Sequence, residues 1–163
     1  MNNCKSFTPS IDKNSTILVL GSMPGVKSLQ KQQYYAHPQN RFWKVMASIC
    51  NEPKLHEFDY DLKLKTLLNN NIALWDVIKS CRRLGSLDSD IQNEIPNGIS
   101  KLLKNYPNIK TICLNGNKAY SAFKKHFPEL FEKYDCHKMP STSPANARYK
   151  LKDLYGEWIK AIN

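Results

Sequence analysis

Four stretches of this 163-residue chain hold residue types able to do chemistry. Asn115, followed by Gly116, carries a carboxamide, which sets an acceptor beside a donor and so complements an N–H next to a C=O. Hypoxanthine and uracil present that pair, whereas adenine and cytosine present the opposite one. The competing role for Asn115 is that of a turn residue ahead of glycine. The stretch Gln32 to Trp43 (QQYYAHPQNRFW) contains adjacent tyrosines, including Tyr35, on whose faces an extruded base would stack. Within it, Asn40 sits where a helix N-cap belongs, ahead of an apolar helical stripe. His37 reads either as a hydrogen-bonded structural histidine or as an acid–base group. The segment Gly21-Ser22-Met23-Pro24-Gly25 has a backbone able to turn sharply and offer N–H groups to a carbonyl or anion. It lacks the Lys-Ser/Thr pair of a phosphate loop, and a plain strand-to-loop turn is its other reading. Finally, Pro140 to Arg148 (PSTSPANAR) sets Ser141, Ser143 and Asn146 beside Arg148 ahead of a helix. That arrangement suits a phosphate grip, a Ser/Thr-capped helix start, or both.

These segments must be positioned by regular elements. Ile17 to Leu20, Ile72 to Trp75 and Thr111 to Leu114 read as short buried strands, and Tyr134 to Lys138 as a weaker fourth. Phe42, Val45, Met46, Ile49 and Cys50 fall on one helical face; Leu62, Leu67 and Leu68 hint at another helix. Ile99 to Tyr106, the residues around Ala119 and Phe123, and a final stripe from Leu151 to Ile162 supply further helices. Residues 79 to 97 are basic and polar and read as loop with a turn of helix. Strands alternating with helices imply a parallel sheet covered on both faces. Ligands of such sheets bind outside the carboxyl ends of the strands. The polar segments after the first, third and fourth strands therefore belong at one edge.

Composition narrows the partners. Twenty-four Lys and Arg against fourteen Asp and Glu leave a net charge of +10 and a pI of about 9.4. That excess fits a polyanionic partner, which releases counterions on neutralisation, or a general basic drift. Cysteines 4, 50, 81, 113 and 136 form no zinc or iron–sulfur spacing, so neither a metal nor a disulfide is expected. No apolar run approaches the ~20 residues of a membrane span, and Met1 to Asp12 lacks the apolar centre of a secretory signal. The expectation is a single domain over residues 1–163, located in the cytoplasm and associated with the nucleoid in a prokaryote.

Taken together, the stretches GSMPGVKSL at 21–29, QQYYAHPQNRFWKVM at 32–46, IALWDV at 72–77, LNG at 114–116 and PSTSPANA at 140–147 resemble the uracil-DNA glycosylase superfamily, and within it the hypoxanthine-DNA (deoxyinosine) glycosylase branch. The resemblance implies a three-layer α/β/α sandwich around a four-stranded parallel sheet. It also implies monofunctional, cofactor-free hydrolysis of the N-glycosidic bond of a deaminated base in DNA, with hypoxanthine favoured, by a monomer with no membrane role. By the same resemblance the backbone of Gly21, Ser22, Met23 and Pro24 meets a carbonyl of the flipped base. Tyr35 stacks on that base, Asn115 reads its edge, and Asn40 is catalytic. Arg148, Lys150 and the hydroxyls of the 140–148 loop would hold phosphates.

Two departures from the family pattern matter. Met23 stands where mismatch-specific and prototypic uracil enzymes carry Asn or Asp, and a thioether cannot orient water or stabilise a cation. Catalytic duty then moves to Asn40, with weak uracil activity and His37 the nearby group able to protonate a departing purine. Ser141 replaces a His or Asn, and Ala145 replaces a bulky wedge, which favours lesions that are already weakly paired. The competing readings are a uracil or thymine mismatch-specific glycosylase, and a non-catalytic nucleic-acid-binding module.

Overall fold

The computed structural model describes residues 2–162. In chain order its elements are β1 (Asn2–Lys5), β2 (Ile17–Gly21), α1 (Val26–Lys31), α2 (Phe42–Ile49), α3 (Tyr60–Asn69), β3 (Ile72–Asp76), β4 (Ile78–Arg83), β5 (Gln92–Pro96), α4 (Ile99–Asn105), β6 (Thr111–Asn115), α5 (Asn117–His126), α6 (Leu130–Lys133), β7 (Asp135–Met139) and α7 (Leu151–Ile162). A parallel four-stranded sheet runs in the order β3-β2-β6-β7. Its inner strands are continuously apolar because helices cover both faces.

Alternation along β2 divides the core in two. Leu18 and Leu20 pack on one face with Leu102, Leu103, Ala119 and Phe123 of α4 and α5. Val19 points the other way, toward Phe42, Trp43 and Met46 of α2 and Leu154 and Trp158 of α7. The fold is thus the expected three-layer sandwich. The open edge of β3 is guarded by the N-terminal segment: Ser10 bridges Leu74, and Trp75 Nε1 donates to the Phe7 carbonyl at 2.8 Å. Among the described residues no helix is long and apolar enough to cross a membrane.

Residues 79–97 depart from the expected loop. β4 and β5 pair antiparallel, with β1 on the far side of β4, as a second sheet of order β1-β4-β5. The inward positions of β4 are Ile78, Cys81 and Arg83. A cationic inward residue breaks the apolar alternation by which a half-buried strand is read.

Trp158 is fully buried, and its Nε1 donates to the Pro140 carbonyl at 3.1 Å, joining α7 to the segment after β7. Trp158→Ala should cost about 3–5 kcal/mol of stability, measured by urea unfolding.

Candidate active site

The sheet delivers its polar segments to one edge. Gly21 ends β2 beside Asp76 at the end of β3, and Asn115 ends β6 beside Met139 at the end of β7. Above these ends lies a cleft of about 1290 Å³. Of the residues singled out in the sequence, Gly21 to Pro24, Tyr35, His37, Asn40, Asn115, Ser141, Ser143, Ala145, Asn146 and Arg148 line it, whereas Lys150 does not.

The turn after β2 gives up its carbonyls to the scaffold. Gly21 and Ser22 oxygens accept from Val77 and Ile78, and the Pro24 oxygen accepts from Arg83 Nη2. What the turn offers a ligand is therefore N–H. The Met23 side chain is buried in the core, so only its backbone serves the cleft. Gly21 is small for reasons of space. A Cβ there would lie 2.6 Å from Asp76 Oδ1 and 3.2 Å from the Tyr35 hydroxyl.

Tyr35 adopts the left-handed backbone region, φ +55°, which costs a non-glycine residue about 1–2 kcal/mol. That turn lays its ring on Phe42, centroids 3.9 Å apart, and sends its hydroxyl toward Asn115 and Gly21. Asn115 is engaged at both ends of its carboxamide. Oδ1 accepts the Thr142 N–H at 3.1 Å, while Nδ2 donates to Thr142 Oγ1 at 3.0 Å and to the Tyr35 hydroxyl at 3.3 Å. In this state it braces β6 against the 140–148 loop, with its hydrogen bonds spent on protein. Gly116 permits that approach: its φ is +100°, and a Cβ would lie 3.1 Å from Ser141 Cβ.

Asn40 is not the N-cap of α2, which is Arg41, but stands one residue before it. Its Oδ1 accepts the Phe42 N–H at 2.9 Å, just ahead of α2, and the residue still lines the cleft. With the oxygen held, Nδ2 is the group it can present. His37 is exposed; its Nδ1 accepts the Gln39 N–H at 3.1 Å, which leaves Nε2 as the free ring nitrogen.

The 140–148 loop is not the helix start considered above. α7 begins at Leu151, and the Asp153 carboxylate accepts the Lys150 N–H at 3.1 Å, placing a negative charge where a phosphate would bind. The loop's polar side chains hold its own turns: Ser141 Oγ accepts from Ser143 N–H, Ser143 Oγ from Ala145 N–H, and Asn146 Nδ2 donates to the Ser141 carbonyl. Arg148 is exposed, and Lys27 and Lys138 share the cleft.

Three further residues belong to the site and were not singled out in the sequence. Arg41 binds the loop through its main chain: its guanidinium donates to the carbonyls of Ser143 (2.7 Å), Asn146 (3.0 Å), Thr142 (3.4 Å) and Tyr149. Asp88, from the segment before β5, accepts from Ser22 Oγ at 2.6 Å. Asp76 is 4 % exposed, and its Oδ2 is buried without a hydrogen-bond partner among the described residues. Burial, reinforced by the charge of Asp88 and opposed by Arg83, pushes its pKa up to about 7. An acid closing an otherwise apolar strand, at the edge where ligands bind, is the signal by which Asp76 can be found. Among the described residues no group of three or more His, Cys, Asp or Glu is placed to hold a metal ion.

Residues 8–162 match the family model of the uracil DNA glycosylase superfamily. The chain is 40% identical over 156 residues to a protein of Methanosarcina acetivorans named hypoxanthine DNA glycosylase, covering 94% of each chain. It is 39% identical over 159 residues to a protein of the same name from Methanosarcina barkeri, covering 97% of each. The solution NMR structure of a candidate uracil DNA glycosylase from Methanosarcina acetivorans superposes with a TM-score of 0.86 at 38% identity, covering 99% of this chain and 97% of the other.

Two stability measurements test this geometry. Arg41→Lys removes the planar fork that reaches several carbonyls, and should cost about 2 kcal/mol by denaturant unfolding while speeding proteolytic cleavage within residues 140–149. For Asp76, folding raises the pKa from 3.8 to about 7, so stability falls as pH rises between those values and stays lower above them. At roughly 1.4 kcal/mol per unit, Asp76→Asn should gain as much as about 4 kcal/mol over wild type near pH 8 and nothing near pH 4, in paired unfolding curves.

Proposed function

The chain belongs to the uracil DNA glycosylase superfamily, and from that premise we propose that it excises hypoxanthine from DNA as a monofunctional glycosylase of base-excision repair. The observation that carries this reading is the meeting of the Gly21 turn, Tyr35 and Asn40 in one cleft at the carboxyl ends of the parallel strands.

Duplex or single-stranded DNA lies along the basic rim, where Lys27, Lys138 and Arg148 meet phosphates. The damaged nucleotide rotates out, and its base stacks on the face of Tyr35 turned away from Phe42. The amides of Ser22 and Met23 donate to a carbonyl of the base. Asn115 contributes by fixing the Tyr35 hydroxyl and Thr142 in register, and it reads the base edge only on exchanging the Thr142 contact for one to the base. Ala145, exposed at the rim, is too small to fill the vacated stack, so weakly paired lesions are preferred.

Cleavage of the C–N bond builds positive charge on the sugar and negative charge on the base. Fixed N–H dipoles of the turn meet the negative charge without reorganising, the largest effect of this kind of site. Asn40, its oxygen held by Phe42 N–H, donates through Nδ2 to the departing base. A neutral amide is a poor base, so water attacks a sugar cation that is already well developed, and turnover is modest. His37, at the mouth of the cleft, can supply a proton to the purine only as the imidazolium, with Nδ1 released from the Gln39 N–H that it accepts.

Asn40→Ala should abolish hypoxanthine release while leaving DNA affinity within about twofold. The check uses oligonucleotides bearing one hypoxanthine or one uracil, alkaline cleavage of the abasic product, and a parallel gel-shift titration. Release surviving in the variant would remove Asn40 from the mechanism. Release confined to uracil would assign the chain to another specificity.

A further inference from the structure

Asp76 has no part in the scheme above, yet it lines the same cleft from below. Its main chain is fixed: Asn97 Nδ2 donates to its carbonyl at 2.8 Å, and Gly21 pairs with it across the strands. Its carboxyl occupies the space left by the missing side chain of Gly21. A base entering through the mouth brings its sugar edge last, so a buried group on the floor faces the edge remote from the sugar. On hypoxanthine that edge carries the carbonyl oxygen O6.

We propose that Asp76 acts on the flipped base as a neutral carboxylic acid, donating a hydrogen bond to the carbonyl oxygen on the edge remote from the sugar. The inference rests on the glycosylase reading and adds a group that touches the base. Charge decides the protonation state. As the C–N bond breaks, its electron pair passes to the base and spreads onto that oxygen. An ionised carboxylate at hydrogen-bond distance would oppose this by on the order of a thousandfold in rate, whereas a neutral carboxyl donates to it. No donor meets Oδ2 among the described residues, as an ionised carboxylate would demand. Asp88 adds like charge from the rim, and Arg83, the opposing cation, spends Nη2 on the Pro24 carbonyl. Three tyrosines also feel Asp76: burial raises the pKa of Tyr34, Tyr35 and Tyr60 alike. The shift of Asp76 toward neutrality agrees with this placement.

The test is single-turnover excision of hypoxanthine from an oligonucleotide, from about pH 6 to about pH 9, by wild type, Asp76→Asn and Asp76→Ala. Wild type should lose rate above neutrality, approaching tenfold per pH unit. Asp76→Asn keeps a donor that never ionises, so it should stay within about tenfold of wild type at low pH and lack that alkaline fall. Asp76→Ala should be slower than Asp76→Asn at every pH, with circular dichroism showing both variants folded. An alkaline fall unchanged in Asp76→Asn, or an alanine variant as fast as wild type, overturns the inference while leaving the glycosylase reading intact. No release by wild type at any pH overturns both.

Discussion

The site is organised around a side chain that is not there. Three chemical groups converge on the carboxyl ends of the central strands, and they can do so only because β2 ends in glycine. The carboxyl of Asp76 occupies the volume a Cβ of Gly21 would need, and the hydroxyl of Tyr35 crowds it. From that vacancy the rest follows. Tyr35 reaches it by a left-handed backbone turn, Asn115 meets the tyrosine hydroxyl, and Thr142 closes on Asn115. The 140–148 loop is thereby registered against the strands through a chain of contacts that begins at one missing methyl.

The cost of this arrangement is concentrated in the same place. Tyr35 carries backbone strain, Asp76 an oxygen without a partner, and Arg83 two donors, Nε and Nη1, without acceptors. A buried unpaired polar atom costs about 1–3 kcal/mol, so a fold optimised only for stability would remove all of these. Away from the site, the described residues hold one further buried polar atom without a partner, His56 Nδ1, in the short helical turn before α3. Strain and unpartnered groups beneath a binding cleft persist because the surrounding scaffold holds them in place.

Legibility followed the range of the interactions involved. The strands of the parallel sheet are readable because burial on both faces makes the inner β2 and β6, and the edge strand β3 with them, runs of mostly apolar residues. The helices α2 and α7 are readable from stripes internal to each. The second sheet is not, because Cys81 and Arg83 are inward only by virtue of β1 and the Gly21 turn, both distant in sequence. At the site, glycines, aromatics and amides announce themselves by type. Arg41 does not: between Asn40 and Phe42 it reads as a surface cation, and its carbonyl partners lie about a hundred residues onward. The carboxamides are legible as residues but not in their commitments. It is the fold that turns Asn115 toward Thr142 and gives the oxygen of Asn40 to a helix start.

The grip of Arg41 on the 140–149 segment is made through carbonyl oxygens, which every amino acid possesses. The path of that segment is therefore largely independent of which side chains it displays. A surface whose course is held by its own main chain can exchange outward residues such as Pro144, Ala145 and Ala147 without losing its shape. Such a loop is an interchangeable face on a fixed mount. Divergence of lesion preference within this architecture, by natural drift or by directed selection, has a route that leaves the chemistry beneath it undisturbed.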